Sequence, residues 1–189
     1  MRPPACRCTR AGLLGAAFAA LVAVATRAVA LEAVSSDGRY RIVTDDATME
    51  LVVRSGDGAR ELRRIPLRDR DRRTGRLAWI LVLPGRESFL AGFESLPEAW
   101  ELPYGANAEP VFEGFVHDYR MGEGIPEPGP LPVRRIPLKA PLPRPNLDEK
   151  PYEVTWPDPA DPGRRNVLNL DARRTYVEPV APTRPGASR

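Results

Sequence analysis

From Leu31 onward the chain consists of short extended runs closed by Gly, Asp and Pro, and beyond residue 30 it nowhere sustains a helical period. Proline and glycine at this spacing exclude helices of ordinary length and favour strands joined by tight turns. Tyr40 and Ile42 alternate after the turn Ser35-Ser36-Asp37-Gly38, and Met49–Arg54 is a second extended run. Ser55-Gly56-Asp57-Gly58 turns the chain into Glu61–Ile65, and Pro66 ends that strand because it has no N–H to donate. Three strands and two turns in some 35 residues predict an antiparallel meander.

Leu77–Leu83 is nearly uniformly apolar, as expected of a strand covered on both faces. Pro84-Gly85-Arg86 turns it into Ser88–Phe93, Glu98–Leu102 pairs back, and Val111–Val116 adds a further extended stretch. Glu94, Glu98 and Glu101 have no fixed spacing that makes them an acid–base pair, so solvent-facing strand ends are expected for them. The mixed-charge run Arg68–Arg76 reads either as a phosphate-binding patch or as a solvated loop in which Asp69 and Asp71 offset neighbouring arginines.

The net charge of +3 suggests a polyanionic partner until the N-terminus is considered. Arg2, Arg7 and Arg10 precede an uncharged run, Ala11–Ala25, followed by the small-x-small pattern Ala28-Val29-Ala30. This is the grammar of a secretory signal peptide over residues 1–30. The apolar run is shorter than the roughly 20 residues a membrane span needs. Cleavage after Ala30 removes four arginines and no acid, leaving a mature charge near −1. Neither nucleic acid nor membrane is then expected as a partner, and the expected location is periplasmic or secreted. Cys6 and Cys8 leave with the leader, so packing and backbone pairing must hold the mature chain together.

Much of the 22-proline total falls between Pro126 and Pro162. Residues 139–165 are therefore expected to be irregular, followed by a β-hairpin over 166–181 and a disordered tail over 182–189.

The chain's single histidine, His117, stands in Glu109-Pro-Val-Phe-Glu-Gly-Phe-Val-His-Asp-Tyr-Arg-Met-Gly-Glu123 beside Asp118, Tyr119 and Arg120. No other segment gathers an imidazole, a carboxylate and a guanidinium between apolar flanks. His117 and Asp118 are not read as a catalytic Ser-His-Asp pair, because adjacent residues of a strand point to opposite faces. The residues alone leave His117 open between a strand-end hydrogen bond to Asp118 or a carbonyl and a role at a site.

Together with Val34-Ser-Ser-Asp-Gly-Arg-Tyr40, the run Arg76 to Leu102 and Val167-Leu-Asn-Leu-Asp-Ala-Arg-Arg174, this segment resembles the haem d1 domain of dissimilatory nitrite reductase and related haem d1 maturation proteins. The likeness covers roughly residues 33–138 and 166–180. It implies an all-β fold of antiparallel meander sheets, a partial β-propeller of about three to four blades over 31–138, with a Pro-rich irregular C-terminal part. It further implies haem d1 as cofactor, with His117 as the distal proton donor and with Tyr119 and Arg120 beside the ligand. One histidine cannot supply both the axial iron ligand and the distal donor, and near Leu83-Pro84-Gly85, where the family has a second distal histidine, this chain has none. No metal site is predicted, and catalysis by this chain alone is not expected. Two further readings are a non-catalytic module binding a protein partner through unpaired strand edges, and an inactive truncated relative.

Overall fold

In the computed structural model the described residues are 30–117, 122–147 and 150–180, and the side chains of 113–123 fall outside the description. The first sheet is formed by β1 (Glu32–Val34), β2 (Tyr40–Asp45), β3 (Glu50–Ser55) and β4 (Glu61–Pro66) in sequential antiparallel order. The second is formed by β5 (Leu77–Leu83), β6 (Ser88–Phe93), β7 (Glu98–Pro103) and β10 (Arg134–Pro137). Between β7 and β10 the chain makes a separate two-stranded hairpin, β8 (Phe112–His117) and β9 (Gly122–Pro126). The third sheet is β11 (Asn146–Leu147), β12 (Glu153–Pro157), β13 (Arg164–Asn169) and β14 (Arg174–Pro179). Three four-stranded meanders stacked face to face are propeller blades, so the expected all-β partial propeller is borne out, although only two of the blades lie within 31–138 and the third is formed beyond it.

The first blade shows how closely its turns follow from local sequence. Gly38 N–H and Gly58 N–H donate to the carbonyls of Ser35 (2.9 Å) and Ser55 (2.7 Å), and each glycine adopts a positive φ, 70° and 76°. In each turn the serine hydroxyl donates to the following aspartate and accepts an N–H from Tyr40 (2.9 Å) or Arg60 (3.0 Å). That Ser35 hydroxyl, then the Arg39 N–H, holds the Asp37 carboxyl down at about 2. Both turns are the same Ser-x-Asp-Gly device, in which glycine carries the left-handed residue at no steric cost. They lie back to back: a Cβ on Gly56 would sit 1.6 Å from the Gly38 carbonyl oxygen.

The second blade is covered on both sides. Toward the first blade, Phe89, Phe93, Trp100 and Leu102 pack on Ile42, Leu51, Val53 and Ile65. Toward the third, Trp79, Leu90, Ala99 and Ile136 pack on Val154, Leu168 and Leu170. Every residue of β6 and β7 is buried, and β5 sends Ile80 to one cluster and Trp79 and Leu83 to the other. Burial of each large apolar side chain is worth roughly 1.5–3 kcal/mol.

Within the proline-rich segment, irregular stretches alternate with β11 and β12, so the hairpin expected over 166–181 is the outer pair of a four-stranded sheet. The prolines permit this because they flank β12, with Pro151 before it and Pro157 as its last residue. The Arg68–Arg76 run is also more ordered than a solvated loop. Asp69 is buried and accepts the Arg73 backbone N–H (2.9 Å) and Nε–H (2.7 Å). Burial pushes its carboxyl up, but these Arg73 contacts outweigh that and hold it below the ordinary carboxylate value. Residues 1–29 of the expected leader, with Cys6 and Cys8, and the expected tail over 182–189 lie outside the described residues.

Candidate functional site

The β8–β9 hairpin carries the residues singled out in the sequence. Its strands pair in the register Phe112↔Pro126, Gly114↔Ile125, Phe115↔Gly124, Val116↔Glu123 and His117↔Gly122, with an irregularity between Phe112 and Gly114. The backbone of His117 thus occupies the last pair before the connection at 118–121, opposite a glycine that has no side chain. The His117 side chain lies outside the described residues, as do Tyr119 and Arg120 entirely.

The base of the hairpin is anchored to two blades. Glu127 N–H donates to Val111 O (2.9 Å), and the Glu127 carboxylate accepts the Val133 N–H (2.8 Å) and a guanidinium N–H of Arg63 on β4. Arg63 also donates to the carbonyls of Pro130 (3.3 Å) and Leu131 (3.1 Å). A carboxylate from the insertion and an arginine from the first blade thereby set where the hairpin leaves the body. Phe112 and Ile125, opposite one another's neighbours near this base, remain 46% and 47% exposed.

The carboxylates expected at solvent-facing strand ends are largely not there. Glu94 is exposed, but Glu101 is only 1% exposed and Glu98 7%. Glu101 accepts from Arg86 Nε (2.8 Å), Arg134 (2.9 Å) and the Ser88 hydroxyl (3.2 Å). Glu98 accepts from Arg135 (2.7 Å) and from the Trp100 indole N–H, and the Arg135 guanidinium lies 4.7 Å from the Trp100 ring centroid. Both acids sit on a strand covered from two sides, where an unpaired charge is untenable, so arginines from β10 and the β5–β6 turn are drawn in. The signal in the sequence was an acid enclosed by apolar neighbours, Trp100-Glu101-Leu102, followed by Arg134-Arg135 on a strand that pairs with it.

Arg86 also reaches Asp171 of the third blade (2.6 Å), and Trp79 Nε1–H donates to Leu142 O (3.0 Å). On the other side Arg39 donates to Tyr104 O (2.8 Å), and the Tyr104 hydroxyl accepts the Ser36 N–H (3.1 Å). These contacts tie the blades together. Among the described residues there is no cluster of three or more His, Cys, Asp or Glu able to hold a metal ion. No helix among them is long and apolar enough to cross a membrane.

No family model matches the chain. The chain is 34% identical over 79 residues to dihydro-heme d1 dehydrogenase of Pseudomonas aeruginosa, a stretch amounting to 42% of this chain and 16% of that protein. Among solved structures it resembles dihydro-heme d1 dehydrogenase NirN in complex with DHE, with a TM-score of 0.58 and 21% identity over 79% of this chain and 28% of that one. The chain spans less than a third of the length of either relative. It is similar in part to a haem d1-related protein, with which it shares a β-propeller type of fold.

Proposed function

We propose that this chain binds or handles a haem d1-type tetrapyrrole, presenting it to the tip of the β8–β9 hairpin. The observation that carries the reading is that the sequence likeness and the fold likeness both lead to dihydro-heme d1 dehydrogenase, in one case with DHE bound. The N-terminal leader grammar supports delivery to the periplasm or outside the cell.

The donor set fits one side of such a group. Gly122 opposite His117 leaves the facing position of the hairpin tip clear of a side chain. An imidazole there suits donation of a hydrogen bond to an anion on the tetrapyrrole and holding a proton near neutral pH. Arg120 and Tyr119 in the adjoining connection would add positive charge and a hydroxyl toward the ligand's carboxylates. The tetrapyrrole, when bound, supplies the redox chemistry.

Titration of the purified chain with haem d1, followed by absorption spectroscopy, tests this. A saturable spectral change that His117→Ala alters is expected. An unchanged spectrum, or one indifferent to the substitution, removes His117 from the reading.

A second reading is association with a protein through the outer edge of the third blade. It is favoured by β14, an edge strand on which Tyr176 and Val177 stay 37% and 40% exposed. Light scattering after size-exclusion chromatography gives a mass above the monomer if β14 pairs with a second copy, and a monomer otherwise.

A further inference from the structure

The mixed-charge run after β4 does more than close a loop. With the base of the hairpin, the start of β10 and the β13–β14 turn, it encloses a cleft of about 970 Å³. The cleft lies along β10, which is the edge of the second blade opposite β5, whereas β5 is the strand that meets β1 of the first blade. It is therefore on the outer rim, away from the edge where successive blades converge.

Its electrostatics are unbalanced. Arg68, Arg70, Arg72, Arg134, Arg135 and Arg173 line it, against Asp69 and Glu127. Both acids are already engaged, Asp69 by Arg73 and Glu127 by Arg63. Arg134 and Arg135 are neutralised by Glu101 and Glu98. Arg68, Arg70, Arg72 and Arg173 are exposed and make no ion pair with any described residue. The other large concavity, about 760 Å³ on the outer face of the first blade, is different: there Arg41 pairs with Glu32, and Arg64 with Glu61, Glu50 and Asp45. The rim cleft thus carries an arginine surplus that the first-blade concavity lacks.

We propose that the rim cleft binds a compact polycarboxylate with an apolar body. Four guanidinium forks free of internal partners match the bidentate geometry of carboxylates. Phe112, half exposed, with Pro110 and Val111 beside it, supplies an apolar wall. The volume lies within the range of small-molecule sites, about 300–1,000 Å³. Buried Asp69, bonded to Arg73, already holds the backbone of the turn that displays Arg70 and Arg72, so binding has their side chains to order but not the turn itself. An extended acidic peptide is the poorer occupant, because β10 has four residues and ends on Pro137, which offers no N–H for an added strand. This site is separate from the hairpin tip and does not rest on the tetrapyrrole reading.

Fluorescence titration of the full chain with pyrenetetracarboxylate, an iron-free planar polyanion, tests the proposal. Saturable binding of one equivalent that weakens with added salt is expected. Arg70→Ala/Arg72→Ala should weaken it by about a hundredfold and Arg173→Ala by about tenfold, on the order of tenfold for each charged hydrogen-bonding contact. Arg173 comes from a different blade, so its substitution decides the matter even where the double variant folds poorly. His117→Ala should leave this binding unchanged, and so separates failure here from failure of the tetrapyrrole reading. Equal binding by wild type and the arginine variants overturns the proposal. So does a fluorescein-labelled oligoglutamate peptide that binds more tightly with the same arginine dependence, since the rim would then be a docking surface for an acidic polypeptide.

Discussion

Glu101 and Glu153 are both carboxylates buried on a strand of a four-stranded blade, and they are satisfied in opposite ways. Glu101 lies in the blade covered on both faces, and its partners Arg86 and Arg134 have side chains only 16% and 9% exposed. Glu153 lies in the third blade and is bonded by Lys150 (2.8 Å), whose side chain is 51% exposed, and by the hydroxyl of edge residue Tyr176 (2.9 Å). A blade with one face that no described residue covers can let its polar partners reach water, whereas a blade between two others must supply partners from within. The cost of losing a carboxylate should follow from that position and not from the strand's own sequence.

The comparison is tested most severely through packing. Trp100→Ala empties a fully buried site in the second blade and should cost about 3–5 kcal/mol in chemical denaturation. Trp156→Ala, half buried in the third blade, should cost less than half as much. Next, Glu101→Ala leaves Arg86 and Arg134 facing each other without their shared acid and should cost about 3 kcal/mol. Glu153→Ala should cost about 1 kcal/mol or less, because its cationic partner Lys150 is half exposed and an exposed ion pair contributes little. Equal losses for the two glutamates would sink the distinction.

Gly92→Ala probes how the second blade meets the third. An added Cβ would lie 2.3 Å from the Trp79 ring, whose N–H holds Leu142 O, and displacing it should cost about 2 kcal/mol. The smallest effect concerns pH. The hydrogen bond from Lys150, then that from Tyr176, holds the Glu153 carboxyl below its ordinary value of 4.5, while the same contact with Glu153 pushes the Tyr176 hydroxyl up. A carboxyl lowered by folding contributes stability that is complete above pH 4.5 and disappears as pH falls through its folded value. The thermal midpoint of wild type should therefore approach that of Glu153→Gln on acidification, and parallel curves would refute the assignment.

Much of the fold was legible because it was local. The two Ser-x-Asp-Gly turns, the strand Glu61–Pro66 and the apolar run Leu77–Leu83 each show in a few consecutive residues the hydrogen bonds or the burial they acquire. β12 was not legible, since its prolines mask a strand that needs β13 and the second blade before it has anything to pair with or pack on. The candidate site divides in the same way. A single histidine between aromatic residues stands out in the sequence, but the arginine surplus of the rim cleft depends on which guanidiniums find carboxylates, and Arg173 lies about a hundred residues from Arg70 and Arg72.

By itself the sequence determined an all-β chain of meanders, the Ser-x-Asp-Gly turns and the one position where an imidazole can act, because turn geometry and side-chain alternation are set by neighbouring residues. Only the tertiary structure decided which blade is enclosed, which acids are buried and which arginines remain unneutralised. Those properties depend on what lies across from a residue, and charge balance and desolvation are settled between segments that meet only when the blades stack.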